Sequence, residues 1–177
     1  SFVDKTVSSA SPLLPHIEEF LEKHREHQFV LFLQSYDVHA PLFRTAESAG
    51  PETRLPKEVS YGTFLEIKAP TEAEREHVRS LYQNHVHHYD DFFGKLISML
   101  KERGLYDDSV IVVTSDHGEE LFEHGAYLHG HSLYDEVLRV PLLIKFPSGQ
   151  TFPRSVDNLT ALIDVLDRKS TRLNSSH

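Results

Sequence analysis

The chain has 177 residues, with 18 Lys and Arg against 27 Asp and Glu, for a formal net charge of −9. That length suits one domain with its own core, and the acidic balance argues against nucleic acid, whose phosphates need a basic footprint. There is no Cys, so neither a disulfide nor a thiolate metal site can form, and no apolar run approaches the length that spans a bilayer. An anionic substrate stays open, because a bound cation inverts the local field.

Residues 12–25 predict a helix, with Leu13, Ile17, Phe20 and Leu21 on one face and charges on the other. FVLFL, residues 29–33, is a short continuous apolar run of the kind that forms a buried parallel strand. The polar loop after it, 34–41, carries Asp37 and His39. Residues 43–70, punctuated by Pro51, Pro56, Gly62 and Pro70, read as a long surface excursion that could wall a substrate pocket. Thr71 with Glu74 predicts a capping box. The helix it opens carries Val78, Tyr82, His85, Tyr89, Phe92, Leu96 and Leu100 at alternating spacings of four and three, and Gly104 stops it. Buried strands are expected at 110–114 and 140–146, the second interrupted by Pro141 and Lys145, and a further helix at 157–166. Strands alternating with helices imply an α/β fold, a mostly parallel sheet flanked by helices. The last eleven residues, DRKSTRLNSSH (167–177), resemble the in-frame translation of a widely used sequencing adapter and are set aside as a non-native tail.

The chemistry concentrates in 110–146. A β-branched run ends abruptly in Ser115-Asp116-His117-Gly118, and a second polar cluster, His129-Gly130-His131, follows. In open α/β sheets, ligands bind beyond the carboxyl ends of strands. Asp116 and His117 are adjacent, so both can meet one ion only where the strand has ended and the chain turns, a turn that Gly118 permits. A hard oxygen beside a borderline nitrogen suits Ca, Mn, Mg or Zn. Two ligands do not hold a metal, so others must come from elsewhere.

Four segments together carry a resemblance. TSDHGEE, then HG, then HGHSLYDE-x-x-RVPLLI-x-F-P is similar to the C-terminal half of the sulfatase family, in the alkaline-phosphatase-like superfamily. FLQSYDVHAPL resembles that family's strand and loop with a substrate-contacting His, and YDDFFGKLISMLKERGLYDDSVIVVTSDHG resembles the helix and strand leading into the metal motif. LTALIDVL resembles the start of the family's I-D-x-x-P-T segment and breaks into DRKST.

The resemblance implies that Asp116 and His117 are late ligands of a divalent metal, Ca2+ first, with Mn2+, Mg2+ or Zn2+ as alternatives. It implies that His39 contacts oxygens of the bound sulfate or phosphate. His129, in Tyr127-Leu128-His129-Gly130, falls where related transferases place a second substrate His; His131 is the second candidate, since many sulfatases carry a Lys near this point. The family's nucleophile is formylglycine, made from Cys or Ser, or else an unmodified Ser or Thr. It lies upstream with the first acidic ligands, and the zero Cys count fits a chain that begins after it. Residues 1–166 are therefore expected to be a partial sulfatase-like catalytic domain, an internal piece of a longer protein and inactive alone. The implied substrate is a sulfated small molecule or carbohydrate.

Two other readings stand beside a sulfuric ester hydrolase. Many sulfatases place Asn where His117 stands, and the Asp-His version is shared with phosphonate hydrolases and lipid-headgroup transferases. A catalytically inactive anion-binding relative is the third reading. Several residues read as structural. Asp37 belongs to its loop, His85, His87 and His88 to helix surface or packing, His124 to a turn, and Arg139 to an ion pair. Glu119 and Glu120 are expected to open a short helix, where acids are favoured.

Overall fold

The computed structural model describes residues 10–39, 42–43, 58–59, 70–150, 152, 155, 157 and 160–165. Thr71 and Glu74 form the expected capping box, with Thr71 N–H donating to Glu74 Oε2 at 2.8 Å and Glu74 N–H to Thr71 Oγ1 at 3.3 Å.

In chain order, a single 3-10 turn, Ser11–Leu13, leads into α1 (Leu14–His24). Two short strands follow, β1 (Leu42–Phe43) and β2 (Glu58–Val59), and then the long α2 (Glu72–Glu102). Next come β3 (Ile111–Thr114), β4 (Glu120–Leu121), β5 (Tyr127–Leu128), the one-turn α3 (Asp135–Leu138) and β6 (Leu142–Lys145). Gly104 ends α2 at φ +67°, which lets Leu105 and Tyr106 N–H both return to Leu100 O at 2.9 and 3.2 Å. None of the helices formed by the described residues is long and apolar enough to cross a membrane.

Helix α2 is the spine of two apolar clusters. Toward its C-terminal end, Phe92, Leu96 and Leu100 meet Leu13, Ile17 and Leu21 of α1 and the preceding turn, with Phe29, Leu31 and Leu33 packed on the margin. Toward its N-terminal end, Val78 and Leu81 meet Phe122, Tyr127 and Leu128 of the β4–β5 hairpin. The spacing of four between Leu13, Ile17 and Leu21 puts one stripe against the spine. Leu21 is fully buried, so Leu21→Ala is expected to cost about 2–5 kcal/mol, transfer plus cavity. The fall of the urea midpoint at unchanged m-value measures it.

Three sequence expectations about strands are corrected. All three strand pairs among the described residues, β1–β2, β3–β6 and β4–β5, are antiparallel, and no parallel pair occurs among them. Parallel neighbours need a crossover connection, usually a helix. Between β3 and β6 the chain instead makes a hairpin and a single helical turn, and returns with Ile111 opposite Lys145 and Thr114 opposite Leu142. Residues 29–33 form no strand: Phe29, Leu31 and Leu33 face the α1–α2 core while Val30 and Phe32 are 92% and 83% exposed. The run alternates in burial because it has a core on one side and no ladder partner among the described residues. For the same reason β3 and β6 are not buried on both faces, and Val112 and Leu143 lie open.

Lys145, which looked like an interruption of β6, staples it. Its ammonium donates to Tyr106 O, to Asp107 O at 3.1 Å and to Ser109 O at 3.0 Å, and sits 4.3 Å from the Tyr106 ring centre. Of the helix expected at 157–166, the described residues form a 3-10 turn, Leu162–Val165. Asp164 Oδ2 accepts from Ala161 N–H at 2.8 Å, a local bond that competes with continued helix. The excursion expected over 43–70 lies outside the described residues apart from Phe43, β2 and Pro70, and so does the tail at 167–177.

Candidate functional site

His117 is the third residue after β3, His129 follows directly on β5, and His39 ends the turn after residues 29–33. These three imidazoles converge. One ring nitrogen from each lies within 4.8 Å of the others. Ring centres are 3.9 Å apart for His117 and His129, 5.0 Å for His39 and His129, and 5.8 Å for His39 and His117.

Each ring is positioned by identifiable bonds. The loop carrying His39 is tied at three points. Ala10 N–H donates to Asp37 Oδ2 at 2.7 Å, Ser35 Oγ donates to the same oxygen, and His85 Nδ1 of α2 meets Asp37 O. Asp37 is thus a loop anchor, as its sequence suggested. His85, read as surface or packing, locks the loop that presents His39. His39 N–H closes the turn on Tyr36 O at 3.1 Å.

At the end of β3, His117 Nδ1 lies 3.0 Å from Gly118 O, which directs Nε2 away from its own backbone. Gly118 is required, though not for the turn expected of it. Its φ is not in the left-handed range; instead a Cβ there would collide with Glu136 O and lie 3.1 Å from Glu136 C, because Gly118 N–H bonds Val137 O at 2.8 Å. His129 Nδ1 lies 3.0 Å from Glu119 Oε1. Leu128, just before it, holds φ +74° with its side chain fully buried. A branched side chain in the left-handed region stores about 1–3 kcal/mol of strain, held there by the packing of Leu128 against α2.

The other two sequence candidates sit apart from the three-way contact. The Asp116 carboxylate is 78% exposed; its Oδ1 accepts from His117 N–H at 3.1 Å and lies 3.8 Å from His117 Nε2. His131 Nε2 is turned to Glu120 Oε2 at 3.2 Å. His124, read as a turn residue, stacks on Tyr134 at 3.6 Å, and Arg139 pairs with Asp135 at 3.6 Å on the surface, as expected of a structural ion pair.

Glu119 and Glu120 were misread. They open no helix; Glu120 is the first residue of β4, and the two carboxylates do different work on either side of the chain. Glu119, 7% exposed, holds His129. Glu120, fully buried, accepts from Ala126 N–H at 3.1 Å, His124 N–H at 3.2 Å, Ser132 Oγ at 3.2 Å and His131. Burial pushes the Glu120 carboxyl up, but the bonds from Ala126, His131, Ser132 and His124 outweigh it, and the net shift is below the ordinary value. The adjacent acids carried no periodic signal that separated a strand start from a helix start.

The donor set bears on a cation in two ways. Asp116 Oδ1 and His117 Nε2, 3.8 Å apart, have the separation of two neighbouring ligands on one divalent ion. The three imidazoles offer only nitrogen, a set that suits borderline ions such as zinc over calcium.

The Sulfatase family profile matches residues 4–168. The chain is 33% identical over 111 residues to a multifunctional alkaline phosphatase superfamily protein, PehA, of Trinickia caryophylli, covering 57% of this chain and 21% of that protein. It is 33% identical over 95 residues to arylsulfatase K of Bos taurus, covering 54% of this chain and 17% of that one. A solved phosphonate monoester hydrolase from Silicibacter pomeroyi is 36% identical over 48% of this chain and 16% of its own, with a TM-score of 0.43. The chain spans about a fifth of the length of these curated relatives. With the match running over nearly its whole length, the chain belongs to the sulfatase family.

Proposed function

We propose that this sequence serves in the catalytic domain of a metal-dependent sulfuric ester hydrolase acting on a sulfated small molecule or carbohydrate. The observation that carries the reading is the convergence of His39, His117 and His129, from three separate segments, on one spot. Asp116 and His117 are the metal ligands of this chain, for a divalent cation with calcium the first choice. His39 and His129 face the oxyanion, and His131 is reserved to Glu120. The nucleophile, formylglycine or its counterpart, comes from a segment that this sequence does not contain.

The chemistry asks for such a set. A transferring sulfuryl group carries its charge on peripheral oxygens, so donors must be aimed at them. A bound cation would gather nucleophile and ester oxygen and offset their charge. His39 donates to a peripheral oxygen. His129 hands a proton from Nε2 to the leaving alkoxide, which departs poorly as an anion. The buried seat of Leu128 and the Asp37 anchors keep both rings in place without reorganisation.

A second reading, a phosphoryl or phosphonyl hydrolase or a headgroup transferase, is favoured by His117 standing where many sulfatases carry Asn. The coding sequence ahead of Ser1 separates the two. Cys-x-Pro-x-Arg or Ser-x-Pro-x-Arg favours the sulfatase, and a bare Thr favours the transferase. An inactive anion-binding relative would have lost the nucleophile or the upstream acids.

The assay is hydrolysis of an aryl sulfate. The 177-residue chain alone is expected to show no turnover, and the protein that joins it to the nucleophile segment is expected to show it. Turnover by the chain alone, or preference for a phosphonate monoester in the joined protein, overturns the reading.

A further inference from the structure

Glu119 is a carboxylate more than nine-tenths buried, two residues past His117, with one oxygen on His129 Nδ1 at 3.0 Å. Its other oxygen, Oε2, is buried and has no hydrogen-bond partner among the described residues. The surroundings are aromatic. Burial pushes the Tyr127 and Tyr82 phenols up, and in both the Glu119 charge adds to the effect. Burying a carboxylate there is costly, and an uncompensated one is not kept without return.

The return is the orientation of His129. An ionised carboxylate can only accept, so the hydrogen between Glu119 and His129 must sit on Nδ1. That assignment presents Nε2 as the working atom of the ring. The same backbone step treats His117 alike, since its Nδ1 faces the Gly118 carbonyl at 3.0 Å. Residues Gly118 and Glu119 therefore fix the outward nitrogen of two of the three clustered imidazoles. The step itself is rigid, because Gly118 is pressed against Glu136 and bonded to Val137.

We propose that Glu119 is the positioning residue of the site, holding a proton on His129 Nδ1 so that Nε2 alone meets the oxyanion or leaving-group oxygen. The inference deepens the sulfatase reading and rests on it for the identity of the ligand, but the ring assignment can be tested without any ligand.

The experiment is long-range proton–nitrogen NMR of the histidine rings in the 177-residue chain, assigned through His129→Gln, followed by titration with inorganic sulfate. Wild type is expected to carry a proton on His129 Nδ1. Glu119→Gln keeps an oxygen acceptor and should retain that pattern; Glu119→Ala should move the proton to Nε2 while the Tyr127 and Leu128 core signals stay put. A wild-type ring with no proton on Nδ1 overturns the inference with no variant needed, and so does a pattern unchanged in a folded Glu119→Ala. If that variant unfolds, the wild-type and Glu119→Gln spectra decide. Sulfate should then shift the ring signals of His39 and His129 in wild type. A tautomer that follows Glu119 with no sulfate response upholds the positioning and removes the oxyanion reading.

Discussion

Glu120→Ala is expected to destabilise the chain by about 3–5 kcal/mol, the cost of breaking a buried, charge-assisted network from one side. The carboxylate is fully buried, and its removal strands two backbone N–H groups, a hydroxyl and an imidazole at once. The loss is large against the usual 5–15 kcal/mol that holds a domain together. It falls on the β4–β5 hairpin, which forms the second apolar cluster with α2. Urea unfolding reads the loss.

The same carboxyl gives the chain a pH dependence of known sign. Its folded value lies below the ordinary 4.5. The unfolded chain therefore binds a proton before the folded one does, and stability from this group is fully present above 4.5. It drains away as pH falls from there through the folded value. Glu120→Gln should be less stable at neutral pH and should flatten this part of the acid limb. An acid limb identical to wild type would show that Glu120 holds no excess of bonds in the folded state.

How much of this was legible beforehand varies by element, for physical reasons. The α2 helix was readable to within a residue at each end, because the capping box and the terminal glycine are local signals. Strand burial was not readable. An apolar run such as FVLFL says that a segment can be buried, but which faces are covered depends on partners far away in sequence. Antiparallel return between β3 and β6 was hidden for the same reason. At the site, the family motif pointed to His39, His117 and His129, which the structure brings together, while Glu119 and Glu120 were read as the start of a helix. Their roles depend on which side of a two-residue strand each falls, and no periodicity exists over two residues. Gly118 was noted for the wrong reason: its need comes from the Glu136 backbone, eighteen positions on.

In the protein that carries this sequence with its nucleophile segment, His39→Ala should lower kcat on an aryl sulfate by about 10²–10³-fold, the usual effect of losing one donor to a developing oxyanion. Raising the divalent cation concentration should not restore it. Asp116→Ala should also cost activity, but by weakening cation binding, so excess cation should recover part of the rate. The distinction follows from geometry. Asp116 Oδ1 and His117 Nε2 lie 3.8 Å apart, the spacing the proposed ligand pair needs, and among the described residues the exposed Asp116 is not part of the three-imidazole cluster. His39 approaches His117 and His129 from a separate loop, where it can face an anion that the cation holds. The reverse pattern, rescue of His39→Ala by cation and none of Asp116→Ala, would mean that the three imidazoles are themselves the metal site. An all-nitrogen set of that kind would favour zinc over calcium, and the cation that rescues would name it.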